Sequence, residues 1–218
     1  MGLCAANCQT FIGLFNRVIM RILSIHLYKW QQEAPIQLCC AHELGFLGYL
    51  KRSTVRDLLN FNSRTCCGRS RPNDRTAIHL EQDVGICYLA IHPNTLGVTV
   101  ITDPEYPQRV AFTLIAEILR QFQALGLDWG SLRADANLPF PELATQLQRY
   151  QNPAEADRLT KIQSELNQVT EVMHRNIEEL MKRGETLESL MARSEDLSGV
   201  SYDFYKRAKK NNQCCKLY

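Results

Sequence analysis

Beyond Pro153 the chain has no further proline, and apolar residues recur in alternating steps of three and four. The series runs Leu159, Ile162, Leu166, Val169, Met173, Asn176 and Leu180. Past Arg183 it resumes with Leu187, Leu190, Ser194, Leu197, Ser201, Phe204, Ala208 and Asn211. An a/d seam kept over so many heptads predicts a long helix, about 80 Å at ~1.5 Å rise per residue. A helix of this kind cannot bury its stripe alone and needs partner helices. Arg183 stands in the middle of the seam, where a lone buried guanidinium is very costly. Its five N–H donors in a planar fork suit several side-chain carbonyls, such as those of three glutamines, in a four-helix bundle. An arginine that snorkels out of an ordinary dimeric coiled coil is the competing reading. Gly184 beside it costs roughly 1 kcal/mol of helix propensity relative to Ala, which suits a helix formed on demand.

The rest of the composition narrows the class. A formal net charge of +2 over 218 residues lacks the basic excess of a general nucleic-acid binder. The nine cysteines fall largely as neighbours, Cys39 with Cys40, Cys66 with Cys67 and Cys214 with Cys215. Adjacent cysteines make poor disulfides and do not give C-x-x-C zinc spacing, so neither a disulfide framework nor a metal site is expected. The expected compartment is reducing and cytosolic. No run of eighteen apolar residues offers a membrane span. His26, His42, His79, His92 and His174 are scattered, and no phosphate-binding loop or hydrolase motif occurs, so no catalytic residues are expected. A leucine-zipper transcription factor is excluded because the basic cluster follows the seam instead of preceding it.

From Met20 to about Leu125 the pattern is that of an α/β domain ordered β-β-α-β-β-β-α. "RILSIHLYKW" and "PIQLCCAH" read as strands, and Ser53 is placed to cap a helix through "TVRDLLNFNS". Three further strands, "AIHLEQ", "GICYLAIH" and "GVTVIT", precede the amphipathic helix "QRVAFTLIAEILRQFQALG", which Gly126 ends. Short loops predict an antiparallel sheet. "ELATQLQRYQ" adds one short helix, stopped at Pro153. Residues 1–19 read as an extension before Met20. Gly2 invites N-myristoylation, but Ala6 stands where the signal has Ser or Thr.

The tail resembles an R-SNARE motif, with Arg183 at the central ionic layer. The front, together with "DPEYPQRVAFTL", "RYQNPAEAD" and the CC ending, is similar to the longin R-SNARE family and its lipid-anchored members without a transmembrane helix. The resemblance implies an α+β fold: a longin (profilin-like) domain with a five-stranded antiparallel sheet over 20–150, a linker at 151–157, a SNARE coiled-coil helix over 158–211 and a lipidation signal at 212–218. It places the hydrophobic layers at Leu159, Ile162, Leu166, Val169, Met173, Leu180, Leu187, Leu190, Leu197, Phe204 and Ala208. It implies vesicle fusion by zippering with three Gln-SNARE helices in a parallel bundle. Cycling is expected between cytosol and the cytoplasmic face of Golgi, endosomal or vacuolar and vesicle membranes.

It also implies a longin domain that folds back on its own SNARE helix through a groove at Leu58, Leu59 and Phe61. Leu58 replaces the family's aromatic, and ordinary helix-to-sheet packing explains the same three residues. No cofactor is implied beyond covalent lipid: a prenyl thioether on Cys215, which opens the C-a-a-X box "CKLY", and a second acyl or prenyl group on Cys214. Lys216 is not aliphatic and Tyr218 lies outside the usual terminal residues, so the prenyl type stays open. Lys206, Arg207, Lys209 and Lys210 would add attraction to anionic lipid. The rival reading is a coiled-coil adaptor or tether with a longin-like domain that fuses nothing.

Overall fold

In the computed structural model the described residues are 20–81, 84–154, 156 and 171–215. The extension at 1–19, the layer positions Leu159, Ile162, Leu166 and Val169, and the terminal "KLY" lie outside them, as do the side chains of 211–215.

Strands β1 (Ile22–Lys29) and β2 (Ile36–His42) lead into helix α1 (Tyr49–Arg69). Strands β3 (Arg75–His79), β4 (Ile86–Ile91) and β5 (Leu96–Thr102) follow, then helices α2 (Gln108–Ala124) and α3 (Glu142–Arg149). The strand and helix order expected over this region is the order found. Strands β1, β4 and β5 are buried along almost their whole length because helices or chain cover both faces. That is why "ICYLAI" reads as a continuous apolar run and not as an alternation. Gly126 follows α2 with φ +63, a conformation that glycine adopts without strain.

One face of the sheet packs on α2 and α3 through Ile25, Leu27, Val98 and Val100 against Leu114, Ile118 and Phe122. The other face packs on α1 through Ile78, Leu89 and Ile101 against Leu59, Cys66 and Cys67. A thin polar layer runs beneath α1: Tyr28 donates to Ser63 Oγ at 3.0 Å, and Ser63 and Thr99 share a hydrogen bond of 2.5 Å.

The cap expected at Ser53 is corrected, and the sheet gains a strand. Helix α1 begins at Tyr49, with Gly48 as its N-cap, so Ser53 lies inside the first turns and caps nothing. The longin region contributes the five antiparallel strands expected, and a sixth strand extends the sheet to the order β2-β1-β5-β4-β3-β6. The sixth strand, β6 (Met173–Asn176), comes from the tail and pairs parallel with β3, His174 opposite Ala77 and Asn176 opposite His79. Strand β3 would otherwise leave a row of backbone donors and acceptors unpaired, and the tail supplies the partners.

Candidate functional site: the tail folded on α1

The uninterrupted seam helix expected over 158–211 is not the conformation found. After β6 the chain forms a 3-10 turn at Ile177–Leu180, a capped helix α4 (Leu187–Met191) and a longer helix α5 (Gly199–Cys215). Thr186 and Ser189 close a reciprocal capping box on α4, with 3.1 Å contacts in both directions. Gly184 sits between these pieces at φ +81, which most side chains resist. The glycine that weakens a continuous helix therefore makes the turn that divides this one. The energetic reason for the break is burial. A lone seam helix leaves its apolar stripe in water, whereas the bent tail lays it on α1.

The contact is specific. Ile177, Leu180, Leu187, Met191 and Tyr205 are buried in one cluster with Leu58, Leu59 and Phe61 of α1. Leu58, Leu187, Met191 and Tyr205 surround a gap of only about 20 Å³, so the packing there is tight. Phe61 and Leu190 line a larger cleft of about 490 Å³, shared with Glu33, Arg64, Arg69 and Lys182. The groove residues thus do both jobs: they pack α1 on the sheet and receive the tail.

Polar contacts frame the apolar strip. Arg64 Nε meets Asp196 at 2.6 Å, while its NH2 nitrogen holds Asp135 at 2.5 Å and its NH1 nitrogen donates to the Pro35 carbonyl at 2.6 Å. Carboxylates on two sides hold the Arg64 pKa above its ordinary value despite burial. Arg69 pairs with Glu185 at 2.9 Å and Lys182 with Glu33. Asp57 Oδ2 accepts from Ser198 Oγ at 2.9 Å and from Ser201 Oγ at 2.8 Å. Tyr205 donates its hydroxyl to Glu81, which also faces Lys209 at 3.5 Å. Burial and that carboxylate push the Tyr205 phenol well above its usual range.

Sorted by position, the seam residues divide sharply. Leu180, Leu187 and Ala208 are buried, and Met173, Leu190, Leu197 and Phe204 are half-buried. Ser201 is buried too, while Asn176 and Arg183 are exposed, Arg183 within the turn made with Gly184. Arg183 stands exposed in this arrangement, while Leu180 and Leu187 on either side of it in the seam are covered. Several residues of the contact escaped the heptad reading. Ile177, Met181, Met191 and Tyr205 each stand one place after a seam position. Ile177, Met191 and Tyr205 are buried more deeply than Leu190 or Phe204. A doubled apolar line, wider than a strict a/d stripe, was the available signal.

No helix among the described residues is long and apolar enough to cross a membrane. Cys214 and Cys215 fall at the end of α5.

Residues 48–147 match the family model of the regulated-SNARE-like, or longin, domain, and residues 158–217 match that of synaptobrevin. The chain is 37% identical over 201 residues to "VAMP-like protein YKT61" of Arabidopsis thaliana, covering 91% of this chain and 100% of the relative. It is 35% identical over 198 residues to "Synaptobrevin homolog ykt6" of Schizosaccharomyces pombe, 90% of this chain and 98% of the relative. "Synaptobrevin homolog YKT6" of Yarrowia lipolytica is 35% identical over 201 residues, 91% of this chain and 100% of the relative.

Proposed function

The chain belongs to the family of longin-domain synaptobrevin homologues, non-enzymatic R-SNAREs of vesicle transport, and we propose that it cycles between the folded-back state and a fusion-competent four-helix bundle. In the bundle the tail straightens and zippers in parallel with three Gln-SNARE helices. Arg183 is then ringed by their glutamine side chains, and Met173, Leu180, Leu187, Leu190, Leu197, Phe204 and Ala208 form apolar layers with Leu159, Ile162, Leu166 and Val169. The observation that carries this reading is the double use of one surface: Leu180 and Leu187 are seam residues and are also buried against α1. The two states compete for the same side chains, so the longin domain regulates pairing by occupying them.

Force reaches the bilayer through lipid: a prenyl thioether on Cys215 and a second acyl or prenyl group on Cys214. One chain holds marginally, at about 0.8 kcal/mol per buried CH₂, and two hold firmly. The protein moves between cytosol and the cytoplasmic face of Golgi, endosomal or vacuolar and vesicle membranes.

Mixing the full chain with three Gln-SNARE helices tests the pairing. An SDS-resistant complex of four helices is expected; binding without such a complex identifies a tether instead. Mass spectrometry of the C-terminal peptide tests the anchor. Prenylated Cys215 in membrane fractions is expected, and an unmodified Cys215 still followed by Lys216, Leu217 and Tyr218 there sinks that part.

A further inference from the structure

The seam and groove leave unused a cluster on strands β1 and β2, beside the same turn of α1. In the antiparallel register His26 stands opposite Cys40 and Ser24 opposite His42, so His26, Cys40 and His42 project from one face. Their nearest donor atoms all lie within 4.8 Å of one another. The two imidazoles meet edge-on with ring centroids 5.0 Å apart.

His26 is completely buried, and neither ring nitrogen has a hydrogen-bond partner among the described residues. The Gln37 side chain lies close enough to favour the charged form of the ring without completing a hydrogen bond of good geometry. The imidazole is thus thinly satisfied by that amide, a neighbouring thiol and a second imidazole, which is costly for a buried polar ring. His42 Nε2 lies 2.9 Å from Asn60 Oδ1 on α1. The Asn60 oxygen accepts a hydrogen bond from Nε2–H, which fixes the proton on Nε2 and leaves the Nδ1 lone pair free, the outer contact that metal-binding histidines make. The Gln37 amide donates to Cys40 Sγ at 3.5 Å, while burial pushes the Cys40 thiol up, so the thiolate forms only when a cation is there to hold it.

We propose that His26, Cys40 and His42 bind a divalent cation of the zinc class, with two imidazole nitrogens and one thiolate as ligands. This donor set is borderline-soft and suits zinc over magnesium or calcium, which demand oxygen. A tetrahedral zinc site needs ligand atoms about 3.3–3.8 Å apart, given Zn–N and Zn–S bonds of roughly 2.0–2.3 Å. Closing the cluster by about an ångström through side-chain rotation reaches that. Binding releases the Cys40 proton to solvent and adds no redox step. Cys40 and His42 are only partly buried and give the ion its way in, and the fourth position is left for water. The effect is on stability and not on any reaction. The ion would tie edge strand β2 to β1 and, through Asn60, to the turn of α1 that carries Leu59 and Phe61.

Cobalt(II) titration of the reduced full-length chain tests the site. The expected result is one equivalent with intense visible bands of tetrahedral geometry and a near-ultraviolet thiolate-to-cobalt band that disappears in Cys40→Ser. Asn60→Ala should weaken cobalt about 10–100-fold while keeping both bands. Zinc should raise the melting temperature of the wild type and leave Cys40→Ser unmoved, and His42→Gln repeats the test should Cys40→Ser fail to fold. No thiolate band in the wild type, or the same band in wild type and Cys40→Ser, overturns the proposal; the second result assigns the cobalt to other cysteines.

Discussion

A histidine with no exposed surface is held neutral. Burial is the main cause, and the neighbouring His42 and Arg64 push the His26 pKa further below its ordinary 6.5, against an opposing pull from the Gln37 side chain. His42 is lowered as well, by burial and by Arg56. The unfolded chain takes up protons near pH 6.5 that the folded chain refuses, so stability is unaffected above that pH and falls below it. Burial raises Asp103 to about 6, and its contribution runs the other way, growing as pH falls from about 6 to 4. Comparing two variants cancels it. Chelator-treated wild type should lose denaturant stability between pH 7.5 and 5.5 more steeply than His26→Val; equal slopes would remove His26 from the account. Arg183 is separable in a different way. It is exposed in the folded-back state, so Arg183→Leu should change that state's stability by no more than about 0.5 kcal/mol. Assembly with three Gln-SNARE helices should lose its correct pairing. Unchanged pairing would return Arg183 to a snorkelling role.

Among the elements, β6 and α5 show what a periodicity can and cannot specify. A period near 3.5 is a preference for helix paired with helix, and it was read that way over 158–211. The same residues include "MHRN", short and polar enough to serve as an edge strand once β3 offers its unpaired backbone. No pattern within the tail alone announces that choice, because the partner decides it. The longin core was legible for the opposite reason: its strands and helices are stabilised by contacts within one compact unit, and local pattern and packing agree. The groove was half legible. Leu58, Leu59 and Phe61 came from family likeness, but the residues that fill it, Ile177, Met191 and Tyr205, lay one place off the seam. The His26–Cys40–His42 cluster stayed hidden because register, not spacing, brings it together. A parallel edge strand bonds through alternate residues, so proline at either His174 or Arg175 removes a ladder donor. Hydrogen exchange across 171–191 should quicken in one of the two proline variants, with exchange in β1 and β5 unchanged; no change in either would dissolve the β6 pairing. Leu58→Glu places a charge among Leu187, Met191 and Tyr205 and should expose α4 and α5 to exchange while the sheet stays protected.

For the whole molecule the question is which force holds the tail down. Arg64–Asp196, Arg69–Glu185, Lys182–Glu33 and Lys209–Glu81 cross from the longin domain to the tail. The more exposed of these contribute about 0–1 kcal/mol each and fade with salt, while for the largely covered Arg69–Glu185 the Coulomb gain is offset by the cost of removing both charges from water. Five buried apolar side chains, Ile177, Leu180, Leu187, Met191 and Tyr205, contribute about 1.5–3 kcal/mol each as an upper estimate, offset by the ordering of the tail. Apolar burial therefore dominates, and the ion pairs choose the register in which it happens. Raising salt to 1 M should leave the radius of gyration from solution scattering nearly unchanged. Leu187→Ala combined with Met191→Ala should expand it. The variant should also pair faster than wild type if its shortened seam side chain is tolerated, because apparent affinity scales with the fraction of molecules whose tail is free. Met191→Ala alone separates the two effects, since Met191 lies off the seam and is buried in the folded-back state. Opening without faster pairing in that single variant would mean that release of the tail does not limit bundle formation, and the longin domain would then act after the partners have met.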